Sequence, residues 1–163
     1  MKRDFAADPS STRQSATHAL EKTVALFIGL SAAVAVPIAL VAAAAGFGMS
    51  TRDPVRDLAV IALWSVTEEI VFRGGLQPWL ERVTKRGASR WITPANALTS
   101  LLFAALHLWR HPVAVAVLVF PVSLVYGRAR ELSGRVWPAA LLHLWFNGSL
   151  YAASWLRAGG FGF

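Results

Sequence analysis

The run from Thr23 to Met49 constrains this chain more than any other feature, because it carries no charged side chain at all. At about 25 residues it exceeds the roughly 20 that cross a bilayer as a helix. A signal peptide is the competing reading, with Ala42-Ala43-Ala44 as its cleavage site. That reading requires an apolar stretch far longer than the usual ~7–15 residues, behind a 22-residue polar leader. The run therefore reads as an uncleaved span. Further apolar segments follow, and only 15% of the 163 residues are charged against 55% hydrophobic. Soluble domains average ~25% charged. The expected fold is an all-α, multi-pass transmembrane helix bundle of about five spans. The same composition argues against a soluble nucleic-acid binder, despite a formal charge of +7.

Residues 1–22 read as a loose polar tail, 23–53 as the first span and its loop, 54–157 as a membrane core, and 158–163 as a short C-terminal tail. The core opens at Asp53-Pro54, a capping residue followed by proline at the first helical position. A helix over 54–82 would be about 42 Å long, enough to span with tilt. Gly74-Gly75 and Pro78 are expected to interrupt its second half. Three more helices are expected over about Pro94–Trp109, Pro112–Arg128 and Trp137–Leu156.

The basic residues supply the topology. Lys2, Arg3, Arg13 and Lys22, then Arg82, Lys85, Arg86 and Arg90, then Arg128, Arg130 and Arg135 put eleven on one side of a five-span arrangement. Arg52, Arg56, Arg110 and Arg157 put four on the other. This asymmetry places the N-terminus in the cytoplasm and the C-terminus outside. Trp79, Trp91, Trp109, Trp137 and Trp155 fall near the expected span ends, as an interfacial aromatic belt does.

Three ionisable residues stand inside apolar sequence: Glu68, Glu69 and Arg73. Each isolated central charge costs about 2.5–3.5 kcal/mol on insertion scales, so partners are required. Glu69 and Arg73, four apart, share a helical face and can pair. Glu68 is rotated by about 100° and has no local partner. A structural ion-pair cluster and a catalytic base with a positioning neighbour fit this helix equally well. The next helix brings Phe103-x-x-x-His107, and the last brings His143-x-x-x-Asn147, each pair on one face. Counted from the cytoplasmic ends, Glu68 and His107 both lie about 21–22 Å deep, with His143 and Asn147 near 12 and 18 Å. One polar cavity can therefore hold all of them. His111 reads as a solvated loop residue and His18 as part of the tail.

A carboxylate in such a cavity can take a proton from water and return it, with a neutral imidazole orienting the water. His143 and Asn147 can donate to the oxyanion that forms when water adds to a carbonyl. Amide hydrolysis without a covalent intermediate fits this set. Zinc held by Glu68, His107 and His143 fits it as well, and the residues alone leave that choice open. With no cysteine, thiol nucleophiles and thiolate metal sites are excluded. H-E-x-x-H, G-x-S-x-G and Walker A patterns do not occur, and no aspartate lies within an apolar segment.

Glu68-Glu69-x-x-x-Arg73-Gly74, Phe103-x-x-x-His107 and His143-x-x-x-Asn147, in this order on separate helices, resemble the signature of the CPBP intramembrane proteases (CAAX proteases and bacteriocin-processing enzymes, also called the Abi family). The resemblance covers roughly residues 54–150. It implies a glutamate-type intramembrane endopeptidase needing no cofactor, with Glu68 activating water and His107 as its partner. Glu69 and Arg73 are then the supporting acid and arginine. His143 and Asn147 become the oxyanion pair, or metal ligands together with Glu68 and His107 in the zinc version. The implied partners are the lipid bilayer and a membrane-embedded or membrane-tethered peptide, and the implied location is a bacterial cytoplasmic membrane. CAAX-type members commonly have about eight spans, and here one helix precedes the core, so the substrate class is the least determined feature. A non-catalytic binding or immunity protein on the same scaffold, or a small proton conductor using Glu68 and His107, are the functional alternatives.

Overall fold

The computed structural model describes residues 9–47, 53–84 and 91–159, and these are helical with short connections and no strands. Helix α1 spans Pro9–Ala44, α2 Pro54–Glu69, α3 Gln77–Thr84, α4 Pro94–His107, α5 Val113–Ser133 and α6 Trp137–Arg157, with a π-helical segment Ile70–Leu76 joining α2 to α3. Lys2, Arg3, Arg52, Lys85, Arg86 and Arg90, the end of the first apolar run at Gly48-Met49, and residues 160–163 of the expected tail lie outside the described residues.

Local chemistry explains the boundaries. Asp53 caps α2 by accepting the Arg56 backbone N–H, with Pro54 at the first helical position. Thr93 caps α4 by accepting the Asn96 N–H ahead of Pro94 in the same way. Gly134, at φ +66°, ends α5 in the left-handed conformation that glycine adopts without penalty. The expected interruption near Gly74-Gly75 takes the form of the π-helical segment. Pro78 has no N–H to offer the Gly74 carbonyl, so an α-helical ladder cannot run unbroken across these residues.

Two expectations need correcting. Residues 9–22 are not a loose tail: α1 begins at Pro9, so a helical extension precedes the apolar run. Helix α5 continues past Arg128 to Ser133 and carries Glu131 into the bundle.

The packing is inverted relative to a soluble protein. Among the largest fully buried side chains are Arg73, Gln77, Glu69 and Asn96, whereas Leu26, Leu30, Val41, Leu63, Leu101, Val117 and Leu141 are exposed. Burying charge while leaving leucine outside is unfavourable in water and natural in lipid. Two described helices, Thr17–Ala44 and Val113–Ser133, are long and apolar enough to cross a membrane. A membrane helical bundle accounts for both facts.

Small residues bring the helices together, as in membrane bundles generally. Ala39 and Ala43 of α1 meet Ala153 of α6, with Leu150 packed alongside. Ala129, Ala139 and Leu142 form a second cluster with Tyr126, against which Phe27, Ile28 and Ala32 of α1 pack. The first span is thus docked on the core. Helix α2 packs on α6, α4 on α5, and α5 on α6, so the three motif-bearing stretches face one interior.

A second buried polar cluster holds the other end of the bundle. Glu131 accepts from Gln77, Thr93 and Arg128, joining α3, the cap of α4 and α5. The Asn96 side chain donates to the Leu124 carbonyl at 3.0 Å and occupies the space where a Cβ on Gly127 would stand. Glycine at 127 is what lets α4 and α5 approach this closely.

Candidate active site

The last turn of α2 and the π-helical segment supply Glu69 and Arg73, both fully buried. Arg73 Nε lies 3.3 Å from Glu69 Oε2, the ion pair expected from their spacing. Its Nη2 donates to the Ser123 carbonyl at 2.7 Å and to the Ser123 hydroxyl. The rings of Phe103, Phe72 and Tyr126 surround the guanidinium, with centroids 5.0, 5.9 and 5.9 Å from Cζ. Paired charge, an extra hydrogen bond and aromatic faces together make a buried arginine tolerable.

His143 enters from α6. Its Nδ1 lies 2.9 Å from Glu69 Oε1, and its Nε2 lies 3.8 Å from Glu68 Oε2. An ionised carboxylate only accepts, so Nδ1 carries a proton and donates to Glu69. Glu68 is a third exposed where Glu69 is sealed. The two adjacent glutamates therefore differ as their spacing implied: one is locked into Arg73 and His143, the other is partly exposed beside His143.

Asn147 follows His143 by one turn, and its Nδ2 donates to Ser65 Oγ at 3.1 Å. Ser65 in turn precedes Glu69 by one turn of α2. Its second amide N–H remains available for a ligand. His107, at the end of α4, donates from Nδ1 to the Phe103 carbonyl at 2.8 Å, since a carbonyl only accepts. The neutral ring then has a lone pair on Nε2, which can receive a hydrogen bond from water. His107 joins the cluster through Phe103, whose ring lies 4.8 Å from its own and 5.7 Å from that of His143.

Of the six sequence-derived positions, Glu68, Glu69, Arg73 and His143 thus meet directly, whereas Asn147 is tied to Ser65 and His107 reaches them through the Phe103 ring. Among the described residues no three His, Asp or Glu side chains are gathered to hold a metal. Nδ1 of His107 and of His143 is engaged by a backbone carbonyl and by Glu69, so each ring would meet water, substrate or a ligand through Nε2.

Several residues of the site escaped the sequence reading. Ser65 holds Asn147, Ser123 holds Arg73, and Tyr126 stacks on His143 at 4.8 Å. Their signal was present but faint: polar side chains inside apolar helices, at helical spacing from the motif residues or from each other. His111 is exposed as expected, yet its ring lies 5.9 Å from that of His107.

No curated protein and no solved structure matches the chain. The sequence model described as type II CAAX prenyl endopeptidase Rce1-like matches residues 52–149, more than half of the chain and the stretch that carries all six residues. The inverted packing and the buried carboxylate–histidine cluster agree with that match, and the chain belongs to the Rce1-like family of CAAX-type intramembrane proteases.

Proposed function

We propose that the chain is a glutamate-type intramembrane endopeptidase that cleaves a membrane-tethered or exported peptide without a covalent intermediate. Glu68 takes a proton from water as the oxygen attacks the scissile carbonyl, and later returns it to the leaving amine. His107 accepts a hydrogen bond from that water through Nε2 and aligns it. His143 and Asn147 donate to the carbonyl oxygen as it becomes an oxyanion. Because Nδ1–H of His143 is committed to Glu69, donation from Nε2 uses the imidazolium form, with Glu69 and Glu68 as its counter-charges. Arg73 holds Glu69 in place and does not touch the substrate.

One observation carries this reading: two adjacent glutamates are separated in role by their surroundings, Glu69 sealed at Arg73 and His143 while Glu68 stays open. A structural ion-pair cluster alone would have no use for a carboxylate left partly exposed within an apolar segment. The proposed steps draw only on the side chains of this chain. Five spans, a cytoplasmic N-terminus and an outward C-terminus in a bacterial cytoplasmic membrane complete the proposal.

The test uses purified protein and a panel of membrane-anchored peptides. Glu68→Ala and His107→Ala are expected to abolish cleavage while the protein still accumulates in the membrane. Cleavage that survives in folded Glu68→Ala would refute the assignment. Cleavage lost to a chelator and restored by zinc would replace it with metal chemistry.

A further inference from the structure

Helix α5 carries none of the three motifs, yet it forms a wall of the site. We propose that Tyr126 is a positioning residue for His143, fixing the plane of the imidazole and so the direction in which Nε2 points. The inference rests on the role of His143 proposed above.

The hydrogen bond from Nδ1 to Glu69 pins one atom of the ring and leaves it free to rock, which swings Nε2 through an arc. Tyr126 blocks that motion. Its ring lies nearly parallel to the imidazole, at 20° and 4.8 Å between centroids, and it is 2% exposed. Phe103 closes on the imidazole edge-to-face at 76° and 5.7 Å. One hydrogen bond, one stacked face and one edge contact leave the ring a single orientation, with Nε2 3.8 Å from Glu68.

Tyr126 is itself held by two further side chains and by the anchoring of its helix. The Arg73 guanidinium stands 5.9 Å from its ring centroid and the Phe146 ring meets it edge-to-face at 5.8 Å. One turn back, Ser123 is tied to Arg73, and the next residue, Gly127, receives Asn96 of α4 against its backbone. The backbone that carries Tyr126 is therefore fixed by contacts to two other stretches of the fold. The stacked ring, more than the hydroxyl, is the functional part.

Three variants test this with a membrane-anchored peptide that the wild type cleaves. Tyr126→Phe keeps the ring and is expected to stay within about threefold of wild-type kcat. Tyr126→Leu and Tyr126→Met remove the flat face while filling the space. Each is expected to lose roughly 10- to 100-fold in kcat with KM within about twofold, the scale of an ångström-level misplacement. Wild-type kcat in either folded variant, or Tyr126→Phe as impaired as Tyr126→Leu, would overturn the proposal. Should neither apolar variant fold, the wild type still answers: the ring protons of His143 are expected upfield from the Tyr126 ring current, and ordinary positions would contradict the stack. Glu68→Gln, run in parallel, separates the failures. An active Glu68→Gln sinks the catalytic reading, whereas an inactive one beside a fully active Tyr126→Leu sinks only the role of Tyr126.

Discussion

Glu69→Gln changes one atom of a fully buried side chain and disturbs both of its partners. Arg73 offers only donors, so the glutamine must turn its carbonyl oxygen toward Nε, now 3.3 Å away as an ion pair. Its NH2 group then faces His143 Nδ1, which in the native protein donates across 2.9 Å. Nδ1 must become the acceptor, and the imidazole is driven to the opposite tautomer and held neutral. Two separable costs follow. Leaving the Arg73 charge buried without a counter-ion destabilises the fold by about 3–5 kcal/mol. That corresponds to a fall of about 6–20 °C in Tm for a chain of this size. Replacing a charge-assisted donor by a neutral one at the oxyanion loses roughly 1–2 kcal/mol of transition-state stabilisation. The rate on the folded fraction should drop roughly 5- to 30-fold. Thermal unfolding in detergent reads the first, and single-turnover cleavage at a temperature where the variant is folded reads the second. Glu69→Gln combined with Arg73→Met should recover stability without recovering rate, because it removes the buried charge but leaves His143 unsupported. Wild-type turnover in folded Glu69→Gln, within about twofold, would refute the claim that Glu69 acts through His143.

The other expectations concern packing, the amide donor and topology. Gly127→Ala places a methyl group on the Asn96 side chain and should destabilise by about 1–3 kcal/mol, read as a lower Tm. Ser65→Ala removes the acceptor that orients Asn147 and should lower kcat several-fold for about 1 kcal/mol of lost hydrogen bond, with KM little changed. The chain has no cysteine, so single cysteines report sidedness directly. His18→Cys should react with an impermeant thiol reagent only from the cytoplasmic side, and Arg157→Cys only from the other; labelling of both from one side would break the five-span topology.

Much of the arrangement was legible in the sequence because membrane helices announce themselves by apolar length and by what interrupts it. Pro54, Pro94 and Trp137 open their helices at the expected positions. The spacing of Glu69 and Arg73 was enough to predict their pairing, since i and i+4 meet on any α-helical turn. What stayed hidden depends on contacts between helices. Nothing local tells that Nδ1 of His143 turns to Glu69, that Ser65 holds Asn147, or that α5 faces the site with Ser123 and Tyr126. Glu131 was missed for a different reason: it lies near the end of a helix, where a charge looks solvated, yet Gln77, Thr93 and Arg128 close around it. The helical start at Pro9 was missed because residues 9–22 are polar and carry no amphipathic pattern to mark a helix.

The central claim is that Glu68 activates the water that breaks the peptide bond. The most direct measurement is cleavage of a membrane-anchored peptide by purified wild type and Glu68→Gln, with chelator present throughout and folding verified for both. The account predicts turnover by the wild type and a loss of at least about a thousandfold in Glu68→Gln, the scale on which an essential proton-transfer group acts. Comparable turnover by the two proteins would contradict it.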